Sequence, residues 1–162
     1  MRLENEIQQR KFSSEMHKLA VNILYTHGWL VSLLSEALKP HDITLAQFNI
    51  LRILRGQYPN PATISLLKER MLDKMSDASR LVERLRVKGL VERAVSDHDR
   101  RKANVRITPQ GLRVLEEIGD FDEIIAAMEH RVSKQDSEQV NIILDSLRDI
   151  GLPGVQSVSE RT

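Results

Sequence analysis

The stretch DKMSDASRLVERLRVKGLVERAVSDHDRRKANVRIT, residues 73–108, is the most informative part of the chain for its fold. Its first half carries apolar side chains at helical spacing, which predicts an amphipathic helix. These apolar positions are Ala78, Leu81, Val82 and Leu85. Asp73 is the predicted N-cap of this helix, and Gly89 is typical of the residue just beyond a helix.

Two runs of β-type residues follow the helix. They are Leu90–Val95 and Asn104–Thr108, and the second alternates with period two. The polar tip between them, residues 96–102, is too long for a two-residue turn. This pattern predicts a β-hairpin wing directly after the helix.

Three helices precede this stretch in the predicted order. The first covers Ser13–Lys39 and ends at Pro40, and at about 1.5 Å per residue it is longer than one small core requires. Thr44–Gln47 is a capping-box pattern that starts the second helix. A short helix over about 63–71 then gives, with the helix that follows it, a helix-turn-helix.

The C-terminal third is predicted to be helical. Thr108-Pro109 is a specific start signal, and the apolar spacing continues one long helix to Val132 with a bend at Gly119. Ser133 opens a last helix, which Gly151 and Pro153 end.

The fold class is therefore mainly α, with a winged helix-turn-helix, a small β-hairpin wing and a helical dimerisation region formed by the N- and C-terminal helices. Residues 10–39 are the N-terminal dimerisation helix, 40–110 the winged helix-turn-helix domain and 111–150 the C-terminal dimerisation helices. Residues 151–162 show no pattern and are expected to form a mobile tail.

Charge is divided unevenly along the chain. Residues 74–106 hold ten Lys or Arg against five Asp or Glu, a net charge of +5. The remaining residues hold 14 basic against 18 acidic side chains, a net charge of −4. A basic middle between mildly acidic helices indicates a polyanion-binding module.

Composition excludes several classes of protein. Cysteine is absent, which removes disulfides, thiolate zinc sites and thiol redox sensing. No apolar run is long enough for a membrane span and no secretory signal is present, so we expect a cytoplasmic protein without a membrane partner. The five histidines are scattered without metal-ligand spacing, and no phosphate loop or nucleophile elbow occurs. We therefore expect no metal, no cofactor and no enzymatic activity.

The helix predicted over residues 73–89 is the second helix of the helix-turn-helix, and we call it the recognition helix. It presents a polar face opposite its apolar stripe. Arginine suits guanine edges or phosphates, and short Ser and Asp side chains allow the backbone to approach the major groove. A solvated helix face is the alternative, but the flanking elements and the local charge favour DNA contact. The candidate residues are Ser76, Asp77, Ser79, Arg80 and Arg84.

The wing tip offers a second candidate contact with DNA. Arg100 or Arg101 could enter the adjacent minor groove, and Asp99 could hold one of them extended. A basic loop can also be merely a soluble turn, although its place after the recognition helix favours a DNA contact.

Four blocks of the sequence together resemble the multiple antibiotic resistance regulator (MarR) family, in an order that agrees over about residues 10–150. The blocks are Ser76–Leu85, Lys88–Arg93, Asp97–Arg101 and Ile107–Gly111. The resemblance implies a homodimeric winged-helix transcription regulator that binds a pseudo-palindromic operator in double-stranded DNA. Many members release DNA when a small phenolic or anionic ligand binds. Leu72 and Asp73 stand where the family often has Gly in the turn, and the absent cysteine excludes the peroxide-sensing branch.

The resemblance also implies a place for a small aromatic or anionic effector. Four side chains near the middle of the first helix are candidates for a cleft between the dimerisation and DNA-binding parts, although they could equally pack at a dimer interface. They are His17, Tyr25, His27 and Trp29. The principal hypothesis is a repressor, and the alternative is a winged-helix protein-interaction module that has lost DNA binding.

Overall fold

The computed structural model describes residues 2–95, 103–119 and 121–149 of the chain, and this part is mainly helical with one three-stranded sheet. The helices are α1 (Leu3–Glu6), α2 (Glu15–Leu38), α3 (Leu45–Gln57), α4 (Ile64–Arg70), α5 (Ala78–Val87), α6 (Pro109–Ile118), α7 (Asp122–Glu129) and α8 (Lys134–Arg148). The strands are β1 (Ala62–Thr63), β2 (Val91–Val95) and β3 (Ala103–Ile107). The expected fold class, mainly α with a winged helix-turn-helix, is confirmed.

The helices α2 and α3 begin close to where the sequence predicts. Ser14 Oγ accepts a hydrogen bond from the backbone N–H of His17 at 3.0 Å, and Pro40 lies in the 3-10 turn that follows α2. In α3, Thr44 Oγ1 accepts from the Gln47 N–H at 3.3 Å, and Gln47 Oε1 accepts from the Thr44 N–H at 3.0 Å. This reciprocal pair is the predicted capping box.

The predicted start of α5 at Asp73 is wrong, because the N-cap is Asp77, four residues later. Asp77 Oδ1 accepts a hydrogen bond from the Arg80 N–H at 3.1 Å. Asp73 instead caps a separate turn over residues 73–76. Either aspartate could cap a helix, but the Asp73 carboxylate accepts from the Met75 N–H and the Ser76 hydroxyl in this turn, and Asp77 caps α5.

The end of α5 agrees with the sequence. Gly89 has a φ of +72°, its N–H donates to the carbonyl of Arg86 at 2.9 Å, and the Leu90 N–H donates to the carbonyl of Leu85 at 3.0 Å. These two bonds form a Schellman motif, in which glycine adopts the left-handed conformation without steric cost. The motif reverses the chain directly into β2.

The predicted wing is confirmed as an antiparallel hairpin in a sheet of order β1-β3-β2. Val91 pairs with Ile107 at its base, and its tip, residues 96–102, lies outside the described residues. The third strand, β1, lies just before α4, and its Ala62 pairs with Val105 of β3. The sequence does not predict β1, because a two-residue strand is too short to show an alternation.

The predicted continuous helix to Val132 is wrong, because α6 ends at Ile118, with Gly119 as its C-cap, and α7 begins after Phe121. Gly119 and Phe121 have φ values of +63° and +62°, whereas a right-handed helix needs a negative φ. The ring of Phe121 packs on that of Phe48 in α3, with centroids 4.7 Å apart. This tertiary contact accompanies a break rather than a bend.

The last helix begins as predicted, since Ser133 Oγ accepts a hydrogen bond from the Asp136 N–H at 3.1 Å. Its predicted end at Gly151 and Pro153, and the tail over 151–162, lie outside the described residues.

Buried residues concentrate in the winged helix. The core is built by α3, α4, α5, the sheet and α6, with Leu38 from the end of α2. Leu38 is the one buried residue of α2, and α7 and α8 bury none of theirs. These three helices expose large apolar side chains instead: Met16, Leu24, Tyr25 and Trp29 on α2, Ile125 and Met128 on α7, and Val140, Ile142 and Ile143 on α8.

Candidate nucleic-acid interface

The helix α5 buries one face and exposes the other. Ala78, Val82 and Leu85 contribute the buried stripe to the core, as the apolar spacing predicts. Ser79, Arg80 and Arg84 lie outside this stripe and are exposed, and Arg84 also lines an open cavity. Three of the five side chains predicted for the polar face of this helix therefore lie on its outer side.

Arg80 and Arg84 differ from the neighbouring Arg86 in their electrostatic surroundings. They are four residues apart, so they lie one turn apart on the same face, and within the described residues neither forms an ion pair. Arg86 donates two hydrogen bonds from Nε and one from Nη2 to the carboxylate of Glu83, at 3.1 and 2.7 Å. This hydrogen bonding lowers the pKa of Glu83 and raises the pKa of Arg86. The charge of Arg86 is locally balanced, whereas those of Arg80 and Arg84 are available to an anion.

The other two predicted contact residues precede the helix rather than lying on it. Asp77 is the N-cap, so one of its carboxylate oxygens is already an acceptor within the protein. Ser76 is half-buried, and its hydroxyl donates to Asp73 Oδ2 at 2.6 Å. Their contact with DNA stays a prediction, and their backbone positions at the helix start leave it feasible.

The turn between α4 and α5 is fixed by hydrogen bonds. Hydrogen bonds from the Ser76 hydroxyl and the Met75 N–H hold the pKa of Asp73 below its usual range. The Leu72 N–H donates to Asn49 Oδ1 in α3 at 2.9 Å. The sequence gives no signal for Asn49, because its partner is 23 positions away.

The described part of the wing places an acidic and a basic side chain opposite each other. Glu92 and Arg106 are register partners on β2 and β3, and Arg106 Nη1 lies 3.8 Å from Glu92 Oε1. The predicted contact residues Asp99, Arg100 and Arg101 all belong to the tip, outside the described residues.

An open cavity of about 500 Å³ lies beside the second half of α5. Its walls come from the junction of α2 with α3 and from the last turns of α5, and Lys88 Nζ donates to Asp42 Oδ2 at 2.8 Å at its edge. The lining residues are Lys39, Asp42, Ile43, Thr44, Gln47, Glu83, Arg84, Val87 and Lys88.

The four predicted effector residues all lie on α2, and none of them lines this cavity. The ring of His17 contacts the Phe12 ring, and its Nδ1 atom shares a hydrogen bond of 2.9 Å with Ser13 Oγ. The Tyr25 hydroxyl donates to Glu6 Oε2 at 2.8 Å, which raises the pKa of Tyr25. His27 and Trp29 are exposed. No hydrogen bond or ring contact joins any two of the four within the described chain.

The described residues offer neither a metal site nor a membrane span. Within residues 2–95, 103–119 and 121–149, no group of three or more His, Asp or Glu side chains could hold a metal ion. In the same ranges, no helix has the length and apolar character needed to cross a membrane.

Comparison with known sequences points to one family. The MarR family model matches residues 41–102, which begin at the end of the 3-10 turn before α3 and run into the wing. The transcriptional repressor IacR of Pseudomonas putida is 31% identical over 90 residues, which make up 56% of this chain and 53% of IacR. The chain spans about half the length of the curated relatives it matches.

Comparison with solved structures extends over more of the chain. A mutant of MarR from E. coli, complexed with operator DNA, is 25% identical with a TM-score of 0.70, covering 91% of this chain and 99% of that one. BpsR from Bordetella bronchiseptica, whose DNA binding is regulated by 6-hydroxynicotinic acid, is 20% identical with a TM-score of 0.67. That alignment covers 82% of this chain and 99% of BpsR, and it shows a shared fold.

Proposed function

We propose that the chain is a member of the MarR family of winged-helix transcription regulators and acts as a homodimeric repressor of a pseudo-palindromic operator. The recognition helix α5 enters the major groove of each half-site. Arg80 and Arg84 contact base edges or phosphates there, with Ser76, Asp77 and Ser79 near the helix start. Arg100 or Arg101, supported by Asp99, contacts the adjacent minor groove.

One observation carries the proposal of DNA binding. Arg80 and Arg84 lie on one outer face of α5 and have no ion-pair partner among the described residues, within a stretch whose net charge is +5. Arginines that have no ion-pair partner and lie on the exposed face of a helix are suited to the bidentate recognition of guanine or phosphate. The operator complex of the E. coli relative supports the same use of this fold.

Self-association is supported by the apolar side chains that α2, α7 and α8 leave exposed. Trp29, Leu24 and Ile143 are each more than half exposed, and α8 buries no residue within its own chain. A monomer seldom exposes large contiguous apolar patches, so we expect a second copy of the chain to cover these side chains. A second copy that covers these helices would also space two α5 helices for two half-sites about one helical turn apart.

A small aromatic or anionic effector is the regulatory part of the proposal. BpsR, whose DNA binding 6-hydroxynicotinic acid regulates, supports it. The candidate side chains are His17, Tyr25, His27 and Trp29 on α2. Trp29 is the one tryptophan of the chain, so its fluorescence reports on this helix directly. Quenching that saturates with 6-hydroxynicotinic acid would support an effector site here.

The alternative, a protein-interaction module without DNA binding, would be expected to present apolar anchors on α5. The decisive experiment is an equilibrium titration of random and pool-selected duplexes at several salt concentrations. We expect binding whose affinity falls steeply with salt and a pool enriched in a two-fold symmetric sequence. A folded chain that binds neither duplex at low salt would overturn the proposed function.

A further inference from the structure

Two apolar side chains project from the turn that leads into α5. Met75 is 93% exposed and Leu72 is 82% exposed, the highest values among the large apolar side chains of the described residues. Neither belongs to the apolar stripe of a helix, and both lie within six residues of Ala78, where α5 begins. They stand on either side of two charged residues, Asp73 and Lys74.

The exposure of Met75 does not come from an unanchored loop. Met71, just before the turn, is 1% exposed and belongs to the core. The Met75 N–H donates to Asp73 Oδ1 at 2.9 Å, and the Leu72 N–H is held by Asn49 at 2.9 Å. The backbone is fixed on both sides, so the side chain of Met75 is presented to solvent by the fold.

The position of Met75 relates it to the proposed DNA surface. In helix-turn-helix proteins, the N-terminal residues of the recognition helix contact base edges, so the turn just before that helix lies close to the groove floor. Met75 is three residues before Ala78 and is followed closely by Arg80. The one apolar group that B-DNA presents in the major groove is the 5-methyl group of thymine. An unbranched thioether side chain can adapt to such a group.

We propose that Met75 recognises a thymine in each half-site by apolar contact with its 5-methyl group. This inference rests on the proposed function, because it concerns how the same surface selects sequence. Leu72 adds apolar surface in the same turn. The proposal gives the turn a selective role that is distinct from the electrostatic role of the arginines.

A protein partner is the other occupant that an exposed apolar turn could have. Continuity with α5, whose outer face carries Arg80 and Arg84, favours DNA, because nucleic acid is polyanionic. The apolar surface available to a second copy lies on other elements, namely α2, α7 and α8.

The experiment replaces each thymine of a pool-selected operator, one at a time, by deoxyuridine, which removes only the methyl group. For the wild-type chain, we expect about fourfold weaker binding at one thymine per half-site, the effect of removing one apolar carbon from the interface. Met75→Ala should bind the thymine duplex about fourfold more weakly than the wild-type chain does. At the thymine that Met75 contacts, the variant should not distinguish thymine from deoxyuridine. Val87→Ala, which shortens another exposed side chain at the far end of α5, should keep the distinction. Circular dichroism melting checks that each variant is folded.

The outcomes separate this inference from the proposed function. If the wild-type chain binds no DNA, the proposed function fails and the inference fails with it. If the wild-type chain binds its operator but Met75→Ala keeps the same ratio of thymine to deoxyuridine affinity at every position, the inference alone is overturned. Met75→Ala could instead fail to self-associate while its ratio of thymine to deoxyuridine affinity stays that of the wild-type chain. That result would assign the turn to a protein contact and would also overturn the inference.

Discussion

Gly111, in the first turn of α6, lies directly against the backbone carbonyl of Leu90, which leads into β2. A Cβ atom at position 111 would collide with that oxygen and would lie 2.8 Å from Ile107 Cγ1. The same carbonyl accepts a hydrogen bond from the Thr108 N–H at 3.1 Å. The absence of a side chain at Gly111 therefore allows the start of α6 to dock on the base of the wing.

Gly111→Ala should lower the free energy of unfolding by about 1–3 kcal/mol, because backbone and core atoms must move to admit the methyl group. Urea unfolding followed by circular dichroism measures the change. Gly56→Ala is the matched control, since nothing lies within 4 Å of its Cβ position in α3. It should be neutral or stabilising by up to about 1 kcal/mol. Equal effects of the two substitutions would refute the docking argument.

Arg80→Ala should weaken operator binding by about 1–3 kcal/mol and relax the preference at one base position per half-site, if Arg80 contacts a base edge. Arg86→Ala removes the same charge from the same helix, but Arg86 is paired with Glu83. We therefore expect Arg86→Ala to leave sequence preference intact. Fluorescence anisotropy titrations on operator and scrambled duplexes compare the two variants.

Wing substitutions should behave differently from Arg80→Ala. Arg100→Ala and Arg101→Ala should weaken operator and scrambled DNA evenly, and each phosphate interaction that they remove should reduce the salt slope by about 1. The same titrations, repeated at several salt concentrations, measure the slope. If a wing substitution abolished sequence preference while Arg80→Ala preserved it, the assigned roles would be reversed.

Replacing Leu144 and Leu147 together by Asp should abolish self-association. Both are half-buried on α8 in the single chain. Desolvating two carboxylates in an apolar interface is energetically unfavourable. Sedimentation velocity at micromolar concentration should show a wild-type dimer and a monomeric or unfolded variant. The control Gln135→Asp with Gln139→Asp adds the same charges to exposed polar positions of α8 and should remain dimeric. A folded wild-type monomer under these conditions would contradict the proposed assembly.

Ser76→Ala should raise the pKa of Asp73 towards its ordinary value, because the Ser76 hydroxyl is the main group that lowers it. The lowered pKa means that the turn is stabilised by ionised Asp73 above the ordinary pKa and loses that stabilisation as the pH falls through the lowered value. Carbon-detected NMR titration of the carboxylates measures the shift directly. Ser79→Ala, a change to an exposed serine nearby on α5, should leave the Asp73 titration where it is.

The element ends that depend on local interactions could be predicted from the amino-acid sequence alone. The caps at Thr44, Thr108 and Ser133 each bond a backbone N–H three positions away, and Gly89 supplies a left-handed residue, so each signal lies within a few residues. The helical period likewise placed Arg80 on the exposed face of α5. These features follow from backbone geometry and hydrogen bonding over one turn, which composition and spacing express directly.

Features that depend on distant partners could be seen only in the folded chain. Phe121 packs on Phe48, which lies far away in sequence, and this contact accompanies the break between α6 and α7. Asp73 and Asp77 are equivalent as caps in sequence, and the second is the cap in a structure where Asn49, 23 positions away, holds the Leu72 N–H just before the turn. No local pattern encodes such choices, because the free energy that makes them comes from burial against residues brought together only by folding.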